Sequence, residues 1–237
     1  MPHIQIGTIE LLLNRKSIKN LHISVLPPDG RVRVSAPEKM TDTAIRMAVI
    51  SRIPWIKKQQ SDFAKQPRQS SREMLNGESH YLWGRRHRLN VVERAGRHEV
   101  KIGRGKIYLY VNSGTSIENR ALLLSQYYRR ILKSRISELL PPWEEEMGVT
   151  ANSWGVKKMK TKWGSCNTDA KRIWLNLELA KKPPECLEYI LVHELVHLHE
   201  RRHNERFKAF MDKHLPDWRE RRNLLNKMPL AHNNWIY

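Results

Sequence analysis

The sequence predicts an α+β fold, a strand-rich N-terminal region followed by a compact domain built around one metal-site helix. Three observations predict it. Short runs that alternate apolar and polar residues, bounded by turn residues, dominate residues 1–112. From Thr115 onward the apolar residues recur at helical spacing instead. The run His193-Glu194-Leu195-Val196-His197, with His203 beyond it, then gathers metal-binding side chains on one helix.

Ile4 to Leu13 reads as one strand. His22-Ile23-Ser24-Val25-Leu26 and Arg31-Val32-Arg33-Val34 both alternate, and Pro27-Pro28-Asp29-Gly30 supplies the turn of a hairpin between them. Thr41 caps a helix whose apolar positions are Ala44, Ile45, Met47, Ala48, Ile50 and Ile53; Pro54 is expected to kink or split it. Residues 66–79, with Pro67, Ser70, Ser71, Asn76 and Gly77, read as a loop or flexible linker. Strand patterns resume at Tyr81-Leu82-Trp83, at Leu89 to Val92 and at Lys106 to Val111, with turns at Gly96, Gly103 and Gly105. Thr115 and Glu118 form a capping box for a long helix. Its stripe runs through Leu122, Tyr127, Ile131, Ile136 and Leu140, and Pro141-Pro142 should end it. Trp154 to Trp163 and Arg172 to Leu179 read as two strands around a turn at Gly164-Ser165-Cys166-Asn167. Pro183-Pro184 then opens the metal helix, where proline is tolerated. No internal repeat is evident. The domain division that follows is 1–112 and 113–237.

The chain has 237 residues, 40% of them hydrophobic, enough for one large domain or two small ones. No signal peptide and no membrane-spanning run is read. Two cysteines, Cys166 and Cys186, do not make a disulfide framework and fit a reducing cytoplasm. Lys+Arg is 43 against 24 Asp+Glu, a net +19. That charge suggests nucleic acid or nucleotides as a partner through a basic surface, beside the ordinary reading of a basic solvated face.

Take a helix from about Glu185 to Glu200. Leu187, Ile190, Leu191 and Leu198 form its buried stripe, and His193 and His197, four apart, face the same way. Glu194 falls between them and the stripe. A helix built only for packing gains nothing from three polar groups there, since burying them unpaired is costly. This is the zinc-hydrolase pattern H-E-x-x-H: the histidines hold Zn2+ and the glutamate is placed to take a proton from the metal's water. On a continuous helix His203 would point about 240° away from His197. It becomes the third ligand only if the chain turns after Glu200; Glu205, Asp217 and Glu220 compete for that role. Three protein ligands leave a position for water and mark a catalytic site, whereas a structural site closes with four, for which Cys166 is the candidate. His199, His214 and His232 are read as lying outside the cluster.

At this point the chain resembles the YgjP-like metallopeptidase family, a relative of the SprT-like zinc proteases. The resemblance rests on Trp163-Gly164-Ser165-Cys166, Ile173-x-Leu175-Asn176, Val192-His193-Glu194-Leu195-Val196-His197-Leu198 and His203-Asn204-x-x-Phe207. It runs from about Lys157 to Asn226. It implies a compact zincin-type metallopeptidase domain, with zinc on His193, His197 and His203 and with Glu194 as catalytic base. The histidine spacing also equals the metzincin one, but that pattern has glycine where this chain has Glu200.

Three function classes follow. The first is a zinc peptidase acting on a protein or peptide substrate, including proteins held on nucleic acid. Lys160 to Trp163 would then be an edge strand that pairs with the substrate, or simply a lysine-protected edge. The second is a nucleoside triphosphate pyrophosphatase drawing on the same metal chemistry; Gly103-Arg104-Gly105 is too short to be a phosphate loop for it. The third is a nucleic-acid-binding protein with a structural zinc, against which Glu194 argues, because a structural site needs no base. No single residue is marked as the donor to the oxyanion.

Overall fold

The computed structural model describes residues 3–26, 30–65, 72–159 and 162–227. Two compact units emerge, one within Met1–Arg68 and the other within Gln69–His232. The class is α+β.

The first unit is a four-stranded sheet with one helix: β1 (His3–Ile6), β2 (Ile9–Lys16), β3 (His22–Leu26), β4 (Arg31–Pro37) and α1 (Asp42–Lys65). The strand read over Ile4 to Leu13 is two strands, because Gly7 turns the chain back with φ 60°. The β3–β4 hairpin forms as read, with its Pro27 to Asp29 turn outside the described residues. Alternate residues Ile9, Leu11 and Leu13 of β2, and Val32, Val34 and Ala36 of β4, point into a core closed by Ile45, Val49 and Ile56 of α1. Thr41 caps α1, its Oγ1 accepting from the Ala44 N–H, and the helix continues unbroken through Pro54.

The second unit opens with the same topology, a repeat that the sequence conceals. It consists of β5 (Ser79–Leu82), β6 (Arg85–Glu93), β7 (Glu99–Gly103), β8 (Lys106–Val111) and the helix α2 (Ile117–Met147). The strand orders β1-β2-β4-β3 and β5-β6-β8-β7 match, with antiparallel, parallel and antiparallel pairings in both. Each sheet is followed by its helix. Left-handed glycines recur at the same two places, Gly7 with Gly84 and Gly30 with Gly105. Only the alternation is shared along most of each copy, and β7, whose Glu99-Val100-Lys101-Ile102 alternates as well, is a strand beyond those expected from the sequence.

Several sequence expectations change here. Residues 72–78 are a loop, as read, but one pinned to its unit: Met74 is buried and the Asn76 side chain accepts from the Val91 N–H. Residues 66–71 lie outside the described residues. The cap of α2 is Ser116, whose side chain accepts from the Asn119 N–H, while the Thr115 hydroxyl donates back to the Asn112 carbonyl. The helix also runs through Pro141-Pro142 and ends at Gly148, left-handed at φ 63°. Both prolines are exposed, so the carbonyls they leave unpaired meet water. Meanwhile Trp143 donates to Glu188 Oε1 at 3.2 Å, and Met147 enters the core. Residues 79–111, read with the N-terminal region, share their core with the C-terminal elements. Leu89, Ile107 and Leu109 are in one cluster with Leu132, Ile173, Leu187 and Leu191.

The remaining elements frame the site. They are β9 (Ser153–Lys157), β10 (Gly164–Asn167), β11 (Arg172–Asn176), a 3-10 helix (Leu177–Lys181), α3 (Pro184–Val196), α4 (Glu205–His214) and α5 (Trp218–Lys227). Gly164-Ser165-Cys166-Asn167, read as a turn, is a strand paired antiparallel with β11. The reversal falls after it, where Asn167 Oδ1 accepts from the Ala170 N–H. The strand read over Trp154 to Trp163 stops at Lys157, and that read over Arg172 to Leu179 passes into the 3-10 helix after Asn176. No described helix is long and apolar enough to cross a membrane.

Candidate metal centre

α3 is the centre of its unit. Cys186, Leu187, Tyr189, Ile190, Leu191, Val192, Leu195 and Val196 are all buried, so the single stripe read from the sequence is in fact an apolar surface nearly all round. α2, α4, α5, β10, β11 and the 3-10 helix pack about it. The helix ends at Val196, one turn earlier than read. Leu198 and His199 continue it as a turn, their N–H groups donating to the Leu195 and Val196 carbonyls. The chain then reverses, and Asn204 caps α4 by accepting from the Phe207 N–H at 3.0 Å.

That reversal brings His203 back over α3. His203 Nε2 lies 3.0 Å from His193 Nε2. The ring centroids stand 5.0 Å apart for His193 and His197, 4.9 Å for His193 and His203 and 4.7 Å for His197 and His203. One ligand nitrogen from each lies within 4.8 Å of the other two, and among the described residues this is the one group of three or more such side chains close enough to share an ion. A tetrahedral zinc with bonds of about 2.1 Å sets its ligand nitrogens about 3.4 Å apart. The donor set therefore fits a divalent ion with small side-chain adjustments. Phe207 of α4 supports all three rings, with centroids 4.9, 4.9 and 4.7 Å from those of His193, His197 and His203.

Protonation suits the same use. Burial and the neighbouring imidazoles hold His193 down to about 3, and burial lowers His197, so both rings stay neutral donors. His197 Nδ1 donates to the Glu200 carbonyl at 3.2 Å, which leaves its Nε2 lone pair free. Glu194 is only 5% exposed. Burial pushes its carboxyl up to about 8, opposed by the Lys162 ammonium. Burial and the Glu194 charge together raise the Cys166 thiol to about 11.

None of the other candidates joins the three histidines. Glu205 pairs with Lys208 at 2.6 Å and Asp217 with Arg221 at 2.8 Å. Glu220 and Cys166 are also outside the group. His199 Nε2 lies 2.8 Å from the Met147 carbonyl, and His214 Nδ1 lies 3.2 Å from Glu146. His232 lies outside the described residues.

Two residues have a part in the site that the sequence did not assign. Gly164 on β10 touches Glu194: a Cβ at Gly164 would overlap the carboxylate. Asn176 closes the segment before β10. Its Oδ1 accepts from the N–H groups of Met159 and Glu178, and its Nδ2 donates to the carbonyls of Met159 and Lys162. Its place in the motif Ile173-x-Leu175-Asn176, an amide at the end of an apolar strand, was the available signal for it.

With this geometry in view, the sequence profile of the YgjP-like family, described as a metallopeptidase domain, matches residues 19–228. The chain belongs to that family. It is accordingly a metallopeptidase, a hydrolase that depends on a divalent metal and acts on protein or peptide substrates. No curated protein matches it. Among solved structures, this YgjP-like chain is similar to the zymogen of the metallopeptidase abylysin from Pyrococcus abyssi, with 21% identity and a TM-score of 0.36 over 38% of this chain and 90% of that one. It is also similar to the zymogen of jannalysin from Methanocaldococcus jannaschii, with 23% identity and a TM-score of 0.32 over 40% of this chain and 92% of that one.

Proposed function

We propose that this YgjP-like protein is a zinc peptidase in which His193, His197 and His203 hold the ion and Glu194 is the catalytic base. The observation that carries the reading is the convergence of three imidazoles, two from the largely apolar helix α3 and one from the segment before α4, with the buried Glu194 carboxylate next to the first of them. The chemistry is assigned to residues 113–237, packed in one core with the strands of residues 79–111. Bound zinc supplies a Lewis acid that acidifies water and polarises a carbonyl. Glu194, raised in pKa by burial, takes a proton from the attacking water and passes it to the leaving amine. β10 is the edge of its sheet, in the order β10-β11-β9, and touches Glu194 through Gly164. An extended substrate pairing along that edge would lie with its scissile bond near the base. Residues 160 and 161 of the edge read from the sequence lie outside the described residues.

The test compares zinc-loaded protein with its Glu194→Gln variant on an unfolded protein mixture, with and without DNA, and on a panel of nucleoside triphosphates. Cleavage of protein that falls at least a hundredfold in the variant is the expected result. Stimulation by DNA would connect the +19 charge to substrates held on nucleic acid. Triphosphate cleavage without proteolysis would overturn the reading in favour of a pyrophosphatase.

A further inference from the structure

The second unit carries a groove of about 1030 Å3 between the segment Arg94–Val100 and the first half of α2. β7 is the outer strand of its sheet, and the groove is lined by its first two residues, Glu99 and Val100, and by the loop that leads into it, with no residue of β8. An edge strand presents unpaired N–H and C=O groups on its free side, a template for another strand.

Two kinds of chemistry meet in it. The helix wall offers apolar surface at Leu122, 55% exposed, with Leu123 and the Tyr127 ring, among Asn119, Gln126 and Arg130. The opposite wall is basic, with Arg94 and Arg97, and Arg130 adds positive charge from the helix. Glu99 is the one carboxylate in the lining, and Arg94 at 2.9 Å and Lys101 at 3.3 Å already engage it. Neither Arg97 nor Arg130 has a carboxylate partner among the described residues, so the groove keeps uncompensated positive charge. The first unit shows the same arrangement: β3 is its outer strand, and Met47, at the place in α1 that Leu122 holds in α2, is 63% exposed.

We propose that the β7–α2 groove docks an extended acidic peptide segment of a partner protein, which adds as a strand to β7. Alternate residues of such a strand point to one side, so apolar ones would cover Leu122 and Leu123 while acidic ones between them reach Arg97; Arg130, on the helix wall, adds positive charge that favours an acidic peptide as a whole. A nucleic-acid strand fits less well. Base stacking needs a bare aromatic face, and of the two rings here Tyr127 is half-buried with the Arg130 guanidinium 5.2 Å over it, while the half-buried His98 imidazole accepts from the Asn112 N–H at 3.3 Å.

The test is fluorescence anisotropy with a labelled nonapeptide that alternates glutamate with leucine, on the full chain carrying Glu194→Gln so that cleavage cannot be mistaken for release. Binding is expected, and it should weaken at least tenfold in R97E/R130E and in L122D; all three side chains stand on the surface of the groove, and thermal melting checks that the variants fold. The same peptide N-methylated at alternate residues should also bind at least tenfold more weakly, because strand addition needs its amide donors. The proposal is overturned if the peptide does not bind, if R97E/R130E binds it equally well, or if N-methylation changes nothing. It is also overturned if a single-stranded oligonucleotide of equal charge displaces the peptide and is itself lost in R97E/R130E.

Discussion

At Gly164 the difference between a hydrogen and a methyl group decides where the Glu194 carboxylate can stand. Gly164→Ala should force that carboxylate aside, an overpacking cost of about 1–3 kcal/mol. Peptidase activity is expected to fall roughly tenfold to a hundredfold, while metal analysis still finds one ion per chain, since no histidine is touched. A loss of metal together with activity would place the damage at the histidines instead. A second residue governs stability in acid. His80 is buried, beside the Arg72 guanidinium, with its Nε2 3.3 Å from Glu78 Oε1 but out of hydrogen-bonding alignment. Burial first, then Arg72, holds it down to about 4. The folded state therefore resists protonation that the unfolded chain accepts from about 6.5 downward. Stability is full above that value and is lost as pH falls toward 4, by up to about 3 kcal/mol. His80→Gln should flatten the fall of melting temperature between pH 6.5 and 4 relative to the parent; parallel curves would refute it. Neither effect is legible in the sequence, where Gly164 and His80 look like any glycine and histidine.

Elements were legible by kind and less so by limits. The 3.6-residue spacing over Leu122 to Leu140 identifies α2, but proline grammar stops it at Pro141, and the structure carries it to Met147. Local preference loses there to tertiary packing, because Trp143 and Met147 gain burial and a hydrogen bond beyond the prolines. The penalty still exists. Pro142→Ala should raise stability in urea by about 1–3 kcal/mol, and a null or negative change would mean that the prolines hold a bend the core requires. β10 shows the opposite error. Gly-Ser-Cys-Asn is turn chemistry by composition, yet pairing with β11 makes it a strand. Strand propensity is mostly a property of neighbours, and no neighbour is visible in a local reading.

At the scale of the molecule, each unit has its own core, one closed by α1 and the other built around α3. A chain beginning at Gln69 should therefore fold and bind metal alone, by thermal melting and metal titration; an unfolded fragment would show that the first unit is needed. Metal should raise the melting point of the full chain, with free ion at a thousandfold excess over its Kd contributing about 4 kcal/mol. Chelation should abolish that gain and His203→Ala should remove most of it, whereas an unchanged melting point on chelation would exclude the three-histidine site. The sequence by itself determined the α+β class and the family, and it placed Glu194 beside His193 and His197 on one helix face, because helical geometry converts a spacing of four into proximity. Tertiary structure decided the rest: that His203 returns to them rather than Glu205, Asp217 or Glu220, that Phe207 backs all three rings, and that the first sheet and helix are built twice. Those facts depend on how the chain reverses after Glu200 and on which strands pair, and contacts between distant residues leave no periodic trace in a linear sequence.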